Sequence, residues 1–311
     1  MLTIRIGDNV PSPQLRKKIQ IRTIHSSLAI EQNTLSLKQV TDIIDGKHVL
    51  GAPDEIQEVK NAIEAYRLMP HLNALKEKDL LRAHSLMMNG LVRNAGHYRQ
   101  EGVGVFDGNG NCLHMASPPA RVSELMGDLF AWVSTTNVHP LVHSCVFHYE
   151  FEFIHPFIDG NGRMGRFWQT MLLSRWKGLF SWLPVETIVK AHQQDYYNVI
   201  AQCDRDGEST RFIEFMLKCL LDAMDSYEEA EDSDVQDKVQ DKVQDKFPEV
   251  SQPTWDVFAI IRQNPKASVN SICNQLGLKE RQIYKHISIL KSKGLIVRVG
   301  SNKTGYWKVN A

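Results

Sequence analysis

The stretch HPFIDGNGRMGR, His155 to Arg166, sets the local architecture around it. Before it, VHSCVFHYEFEFI spaces Val142, Cys145, Val146, Tyr149 and Phe153 by three, four and seven, the stripe of an amphipathic helix. Pro156 ends that helix, because a residue preceding proline is pushed out of the α region. His155 is therefore expected at the end of a rigid element. The glycines of Asp-Gly-Asn-Gly permit positive φ and let successive backbone N–H groups point into one concavity. A second helix should follow, with Met164, Phe167, Trp168, Met171 and Leu172 along one face. The turn then sits at a helix N-terminus, which attracts anions. Arg163 and Arg166 lie in that first turn, where positive charge is unfavourable without an anion nearby. The combination suits a polyphosphate.

Each residue type matches a role. His155, with an ordinary pKa of about 6.5, is largely neutral and can accept a proton from a hydroxyl. Asp159 is a hard oxygen ligand suited to Mg²⁺, which binds through one or two carboxylates plus substrate oxygens. Gly160, Asn161 and Gly162 supply backbone donors, and Arg163 and Arg166 bring planar forks for outer phosphates. Two blander readings stand beside this one. One is a capped helical corner with a core histidine. The other is a metal site from His148, Glu152 and His155, whose spacing is not that of HExxH.

The stretch resembles the signature of the Fic family, H-P-F-x-[DE]-G-N-G-R-x-x-R, at every specified position. The resemblance implies transfer of AMP from Mg²⁺-ATP to a hydroxyl side chain of a protein, with release of pyrophosphate. It implies His155 as general base, Asp159 as the Mg²⁺ ligand, and Gly160, Asn161 and Gly162 as the α-phosphate pocket. Arg163 and Arg166 take the β- and γ-phosphates. Upstream, SSLAIEQN resembles the family's inhibitory motif, [ST]-x-x-x-E-[GN], through Ser27 and Glu31. That implies that Glu31 pairs with Arg166 and displaces the γ-phosphate. Gln32 stands where Gly or Asn is usual, and Asn33 follows it.

The same resemblance makes a hairpin the flap that aligns the target. Val103 and Val105, then Leu113 and Met115, flank the glycine-rich turn Asp107–Asn111, with Pro118 and Pro119 beyond. Leu113 and His114 are thereby expected at the nucleotide. An exposed strand edge also gives an extended peptide something to pair with. Tyr196 and Tyr197 resemble a tyrosine pair near the adenine, core aromatics being the alternative. Asp204 stands where some relatives carry asparagine.

Other helices are read in turn: Pro13 towards Ala29, Thr34 to Asp45, Ala52 to Leu68, residues 71 to 91, Arg121 to Val133, Thr187 to Asp204, and Thr210 to Tyr227. Three copies of VQDK, residues 235–246, then read as a solvated helical spacer, a weak pairing surface being the alternative. From Pro253 the pattern is a winged helix–turn–helix, with ERQIYKHISILKSKG as recognition helix and a wing turning at Gly300 to Gly305. Ser251 to Ala311 holds ten Lys/Arg and two Asp/Glu, a net +8 that the rest of a formally neutral chain offsets. Arg281, Gln282 and Lys285, with Lys303 at the wing tip, are candidate nucleic-acid contacts; protein docking is the rival.

No apolar run reaches the roughly 20 residues of a membrane span. The five scattered cysteines form no CxxC pair, as expected of reduced thiols in a cytoplasmic protein. The expected fold is mainly α: a Fic-type bundle with a β-hairpin flap, plus a small C-terminal winged helix. Its divisions are 1–70 (helical, with the inhibitory motif), 71–227 (catalytic core), 228–252 (linker) and 253–311. The expected function is protein adenylyltransfer to Ser, Thr or Tyr, with ATP and Mg²⁺ as cofactors and a target protein, DNA and a second copy as partners. The rivals are a DNA-binding regulator with a nucleotide-sensing core, and transfer of UMP or phosphocholine.

Overall fold

The computed structural model describes residues 11–106, 112–245, 247, 249–300 and 305–309. Two compact units divide the chain, Met1–Glu231 and Asp232–Ala311. Residues 1–70 thus share one unit with the whole of 71–227.

In the first unit, prolines fix the starts of several helices, since a residue without N–H costs nothing at the first helical position. α1 (Pro13–Ile30), α3 (Pro53–Leu68), α5 (Pro119–Thr135) and α6 (Pro140–Ile154) begin this way. α2 (Leu37–Ile44) opens on a capping box between Ser36 and Gln39. α4 (Glu77–Met87) precedes an antiparallel ribbon of β1 (Gly104–Phe106) and β2 (Cys112–Met115), which pairs Gly104 with Met115 and Val105 with His114. The ribbon's turn, with the side chains of Leu113 and His114, lies outside the described residues. α7 (Asn161–Trp176), α8 (Val185–Ala191), α9 (Gln193–Asp206) and α10 (Thr210–Asp245) as far as Glu231 complete the unit.

α6 and α7 lie at the centre. One apolar cluster joins Ile24, Leu28, Val59, Ile63, Leu80, Met126, Phe147, Phe151 and Trp168. A second joins Leu15, Ile19, Cys145, Tyr149, Tyr196, Phe212 and Met216. Because α6 serves both clusters, it is buried on more than one face and the single stripe expected from its sequence needs correction. Phe147, His148, Phe151 and Ile154 are buried beside Cys145 and Tyr149, whereas Phe153 is 39% exposed. The expected stripe on α7 is buried throughout, from Met164 to Leu172.

Two expected helices differ. The 71–91 segment opens as a 3₁₀ turn, Met69–His71, and only Glu77–Met87 is α-helical. The Asn73 side chain accepts from Leu75 N at 3.0 Å, and Asp79 accepts from Asn73 N at 2.9 Å, so local side chains compete with helix formation. The expected helix 187–204 breaks at His192 into α8 and α9.

The second unit has its own core of Trp255, Phe258, Ile261, Ile272, Ile283, Ile287, Leu290 and Trp307. It comprises α11 (Gln252–Gln263), α12 (Val269–Leu276) and α13 (Glu280–Ser292). β3 (Ile296–Val299) and β4 (Tyr306–Val309) then pair antiparallel; Lys303 lies outside the described residues. Among the described residues no helix is long and apolar enough to cross a membrane.

Candidate active site

His155 caps α6 in the left-handed region, φ 51 and ψ 62, which a side chain adopts only when its surroundings demand it. Arg99 makes that demand. It is 1% exposed, and its Nε donates to His155 O at 2.7 Å, its Nη2 to Ile154 O at 3.2 Å and its Nη1 to Glu101 O at 2.8 Å. A further bond from Nη2 reaches Ser117 O, just past β2, and Arg99 N donates to Pro156 O at 3.0 Å. One buried guanidinium thus joins the helix end to the root of the ribbon. His155 Nδ1 lies 3.3 Å from Glu152 O, which assigns the proton to Nδ1 and makes Nε2 the basic nitrogen.

The loop after Pro156 is pinned by Asn161. Its Oδ1 accepts from Phe157 N and its Nδ2 donates to Phe157 O, each at 2.9 Å. Asn161 therefore serves the loop with its side chain and offers an anion its backbone N–H. His84 holds the other side. Gly96 N donates to its Nδ1 at 2.8 Å, so Nε2 carries the proton and donates to Asp159 O at 3.0 Å. The ring stacks on Phe157, 3.6 Å between centroids, and burial lowers its pKa to about 4, which keeps it neutral. Gly160 begins α7 at φ 85, and a Cβ there would lie 2.6 Å from Met88 Sδ. The first N–H groups of α7 have no intrahelical acceptors and face this loop.

Both arginines are nearly buried, with side chains 3% exposed. Arg163 Nη1 donates to Glu58 Oε1 at 2.9 Å, and its Nη2 lies 3.3 Å from both oxygens of Asp159. Arg166 Nη2 donates to Glu31 Oε1 at 2.7 Å and to Ser27 O at 3.1 Å. A Cβ on Gly162 would lie 2.3 Å from Glu31 Oε1, so the Glu31 carboxylate sits at the start of α7, where an anion is favoured. Burial opposes the charge on Arg166, but Glu31 and the neighbouring Glu152 raise its pKa above the ordinary value.

Glu31 is the C-cap of α1. Gln32 N donates to Ala29 O and Asn33 N to Leu28 O, a Schellman turn with Gln32 at φ 69. The last carbonyls of α1 are met from α8 and α9. Lys190 Nζ donates to Ala29 O at 2.7 Å, and Gln193 Nε2 to Ile30 O at 2.8 Å.

The donor set fits a polyphosphate. Arg163 Nε and Arg166 Nη1 are buried donors without a partner among the described residues, beside a helix N-terminus. It also fits Mg²⁺ held jointly with substrate oxygens, because the Asp159 carboxylate is 58% exposed at the loop. Among the described residues no three His, Cys, Asp or Glu side chains are grouped to hold a metal on their own. His148 is engaged otherwise: Nδ1 meets Gln169 Oε1 at 2.7 Å and Nε2 meets Tyr196 Oη at 3.1 Å. Tyr196 itself is 2% exposed and packs edge-on and tilted against Tyr197 and Phe212. It is a core aromatic whose hydroxyl orients His148. Asp204 accepts from Tyr149 Oη at 2.8 Å.

Residues 74–173 match the model of the Fic/DOC family. A crystal structure of a Fic family protein from Desulfovibrio desulfuricans G20 is 44% identical; the match covers 96% of this chain and 89% of that one, with a TM-score of 0.67. The chain belongs to the Fic family. Among curated relatives, the protein adenylyltransferase Fic of Aedes aegypti is 28% identical over 237 residues. That match covers 70% of this chain but 44% of the mosquito protein, so the chain spans less than half of that relative. A Fic domain containing signaling protein from Bacteroides thetaiotaomicron, 19% identical with a TM-score of 0.63, shares the fold.

The Fic signature was legible in sequence, but three residues that position it were not. Arg99, His84 and Glu58 act on carbonyls or on a side chain far along the chain; Glu58 is 105 residues from Arg163. None belongs to a local pattern.

Proposed function

We propose that the chain is a protein adenylyltransferase, moving AMP from ATP to a Ser, Thr or Tyr hydroxyl, and that Glu31 holds it inactive. The observation that carries this reading is the pairing of an intact His155 corner with two buried arginines whose free donors face a helix N-terminus. His155 Nε2 takes the proton from the target hydroxyl as its oxygen bonds to the α-phosphorus. The bond from the α-phosphorus to the bridging oxygen breaks, and pyrophosphate leaves against Arg163 and Arg166. Bound through Asp159 and phosphate oxygens, Mg²⁺ would neutralise charge on the leaving group. With Glu31 on Arg166, that arginine cannot take the γ-phosphate, and misplacement by about 1 Å can cost 10²-fold in rate. Buried free thiols at Cys145, Cys203 and Cys219 suit a reducing, cytoplasmic setting.

Incubation with α-labelled or γ-labelled ATP tests the reading. Label from the α-position should appear on protein, rise well above wild type in Glu31→Gly, and fall about 10²–10⁴-fold on adding His155→Ala while ATP binding persists. Label from the γ-position, or equal labelling by wild type and Glu31→Gly, would refute transfer or inhibition respectively.

A second reading, nucleic-acid binding by residues 253–311 as a winged helix, is favoured by one face of α13. Arg281 and Lys285 are exposed there with Tyr284 at 58%, whereas Gln282 is engaged in accepting from Lys279 N at 3.0 Å. Charge reversal at Arg281 and Lys285 should weaken duplex binding across sequences and reduce its salt slope by about 2, read by anisotropy at two salt concentrations. No binding by the full chain at low salt would leave protein docking.

A further inference from the structure

We infer that Glu58 is a positioning residue of the phosphate clamp: its carboxylate aims Arg163 and ties it to the turn that presents Glu31. The inference rests on the adenylyltransfer reading and adds to it a residue outside the Fic signature. Glu58 lies on α3, and its two oxygens face two different partners. Oε1 accepts from Arg163 Nη1 at 2.9 Å, and Oε2 accepts from Asn33 Nδ2 at 2.7 Å. Asn33 is 8% exposed and is the residue whose N–H closes the Schellman turn on Leu28 O. Its Nδ2 also reaches Glu55 O at 3.1 Å, and its Oδ1 accepts from Leu35 N at 3.1 Å, so it has no freedom to follow Arg163.

The geometry of the guanidinium gives this pairing a consequence. With Nη1 held by Glu58, the edge formed by Nε and Nη2 is turned away from α3. That edge is the one able to grip two oxygens of a phosphate in parallel. Nε has no partner among the described residues, and Nη2 has only the longer 3.3 Å contacts to Asp159. Asp159 is also the carboxylate suited to Mg²⁺, so its hold on Arg163 is the one that loading the site would weaken. Glu58 is then the acceptor that keeps Arg163 in place. A carboxylate this close reduces the net positive charge offered to phosphate, so its benefit must lie in direction.

The test is made in the Glu31→Gly background, where Arg166 is released and binding does not compete with Glu31. Affinity for Mg²⁺-ATP is measured by calorimetry, alongside α-label transfer and Tm. Glu58→Ala should weaken ATP binding about tenfold, the weight of one charge-assisted hydrogen bond. Glu58→Gln keeps an acceptor for Arg163 and should recover most of that loss. Arg163→Ala should weaken binding at least as much, and the Glu58→Ala/Arg163→Ala double variant should lose no more than Arg163→Ala alone. Asn33→Ala, which cuts only the tie to the turn, should leave ATP affinity within about twofold in this background. A purely structural Glu58 would lower Tm in both Glu58 variants without this pattern in affinity. Unchanged affinity in Glu58→Ala, or losses that multiply in the double variant, would overturn the inference alone. A Glu31→Gly parent that binds no ATP would overturn the adenylyltransfer reading with it.

Discussion

Gln32 explains at the level of one residue why the inhibitory pattern of the family ends in Gly or Asn. The position after Glu31 is the C′ site of a Schellman turn, and here it has φ 69. A side chain in that region costs about 1–2 kcal/mol, less for Asn and least for Gly. Gln32 therefore leaves the turn that carries Glu31 strained. Gln32→Gly should relieve the strain, although added freedom in the unfolded chain returns about 0.5–1 kcal/mol of it. We expect a net gain of about 0.5–1 kcal/mol, a higher Tm, and lower basal labelling because Glu31 is held more firmly. Unchanged Tm together with raised labelling would mean that the Gln32 side chain itself supports the closed turn.

At the level of elements, the sequence was most legible where a stop signal decides the structure. Pro156 and Gly160 mark the α6–α7 corner, whereas α7 buries the expected stripe together with Arg163, Gly165, Arg166, Gln169 and Thr170 between its members. It was least legible where tertiary contacts choose between equal local options. The sequence of α8 and α9 runs on helically through His192, yet the break there brings Lys190 and Gln193 to the last carbonyls of α1. α6 shows a three-four stripe, but its position between two clusters buries more than that stripe. Arg99 is the clearest omission, since its role consists of bonds to carbonyls that any residues could supply. Arg99→Lys keeps the charge but loses the fork, leaving buried carbonyls without donors. It should cost about 2–4 kcal/mol of stability and at least tenfold in transfer by Glu31→Gly, because His155 loses what holds it at positive φ. Wild-type transfer in Arg99→Lys would show that the α6 corner needs no such anchor.

For the molecule as a whole, the pH dependence of stability should be dominated by one buried acid of the first unit. Glu186 on α8 is 1% exposed, takes a hydrogen bond from Tyr66 Oη at 3.2 Å, and has an Oε2 without a partner among the described residues. Burial raises its pKa from 4.5 to about 7, a hydrogen bond from its own backbone N–H and nearby Arg166 only partly offsetting the effect. Between those values the folded chain holds a proton that the unfolded chain has released. The stability this acid contributes is therefore present below pH 4.5 and is lost as pH rises through 7. The loss amounts to about 3 kcal/mol by pH 8, at about 1.4 kcal/mol per unit over a shift from 4.5 to about 7. Glu186→Gln mimics the protonated carboxyl at every pH. Relative to wild type, its Tm should differ little at pH 4.5 and be higher by several degrees at pH 8. Taking the difference between the two proteins at each pH cancels the titration of His84, whose depressed pKa weakens the fold as pH falls below about 6.5 towards 4. A variant less stable than wild type at pH 8 would mean that pairing with Arg166 stabilises the Glu186 carboxylate in the fold and that burial does not raise its pKa. In that case Arg166 would already be balanced from the α8 side whenever Glu31 moves away.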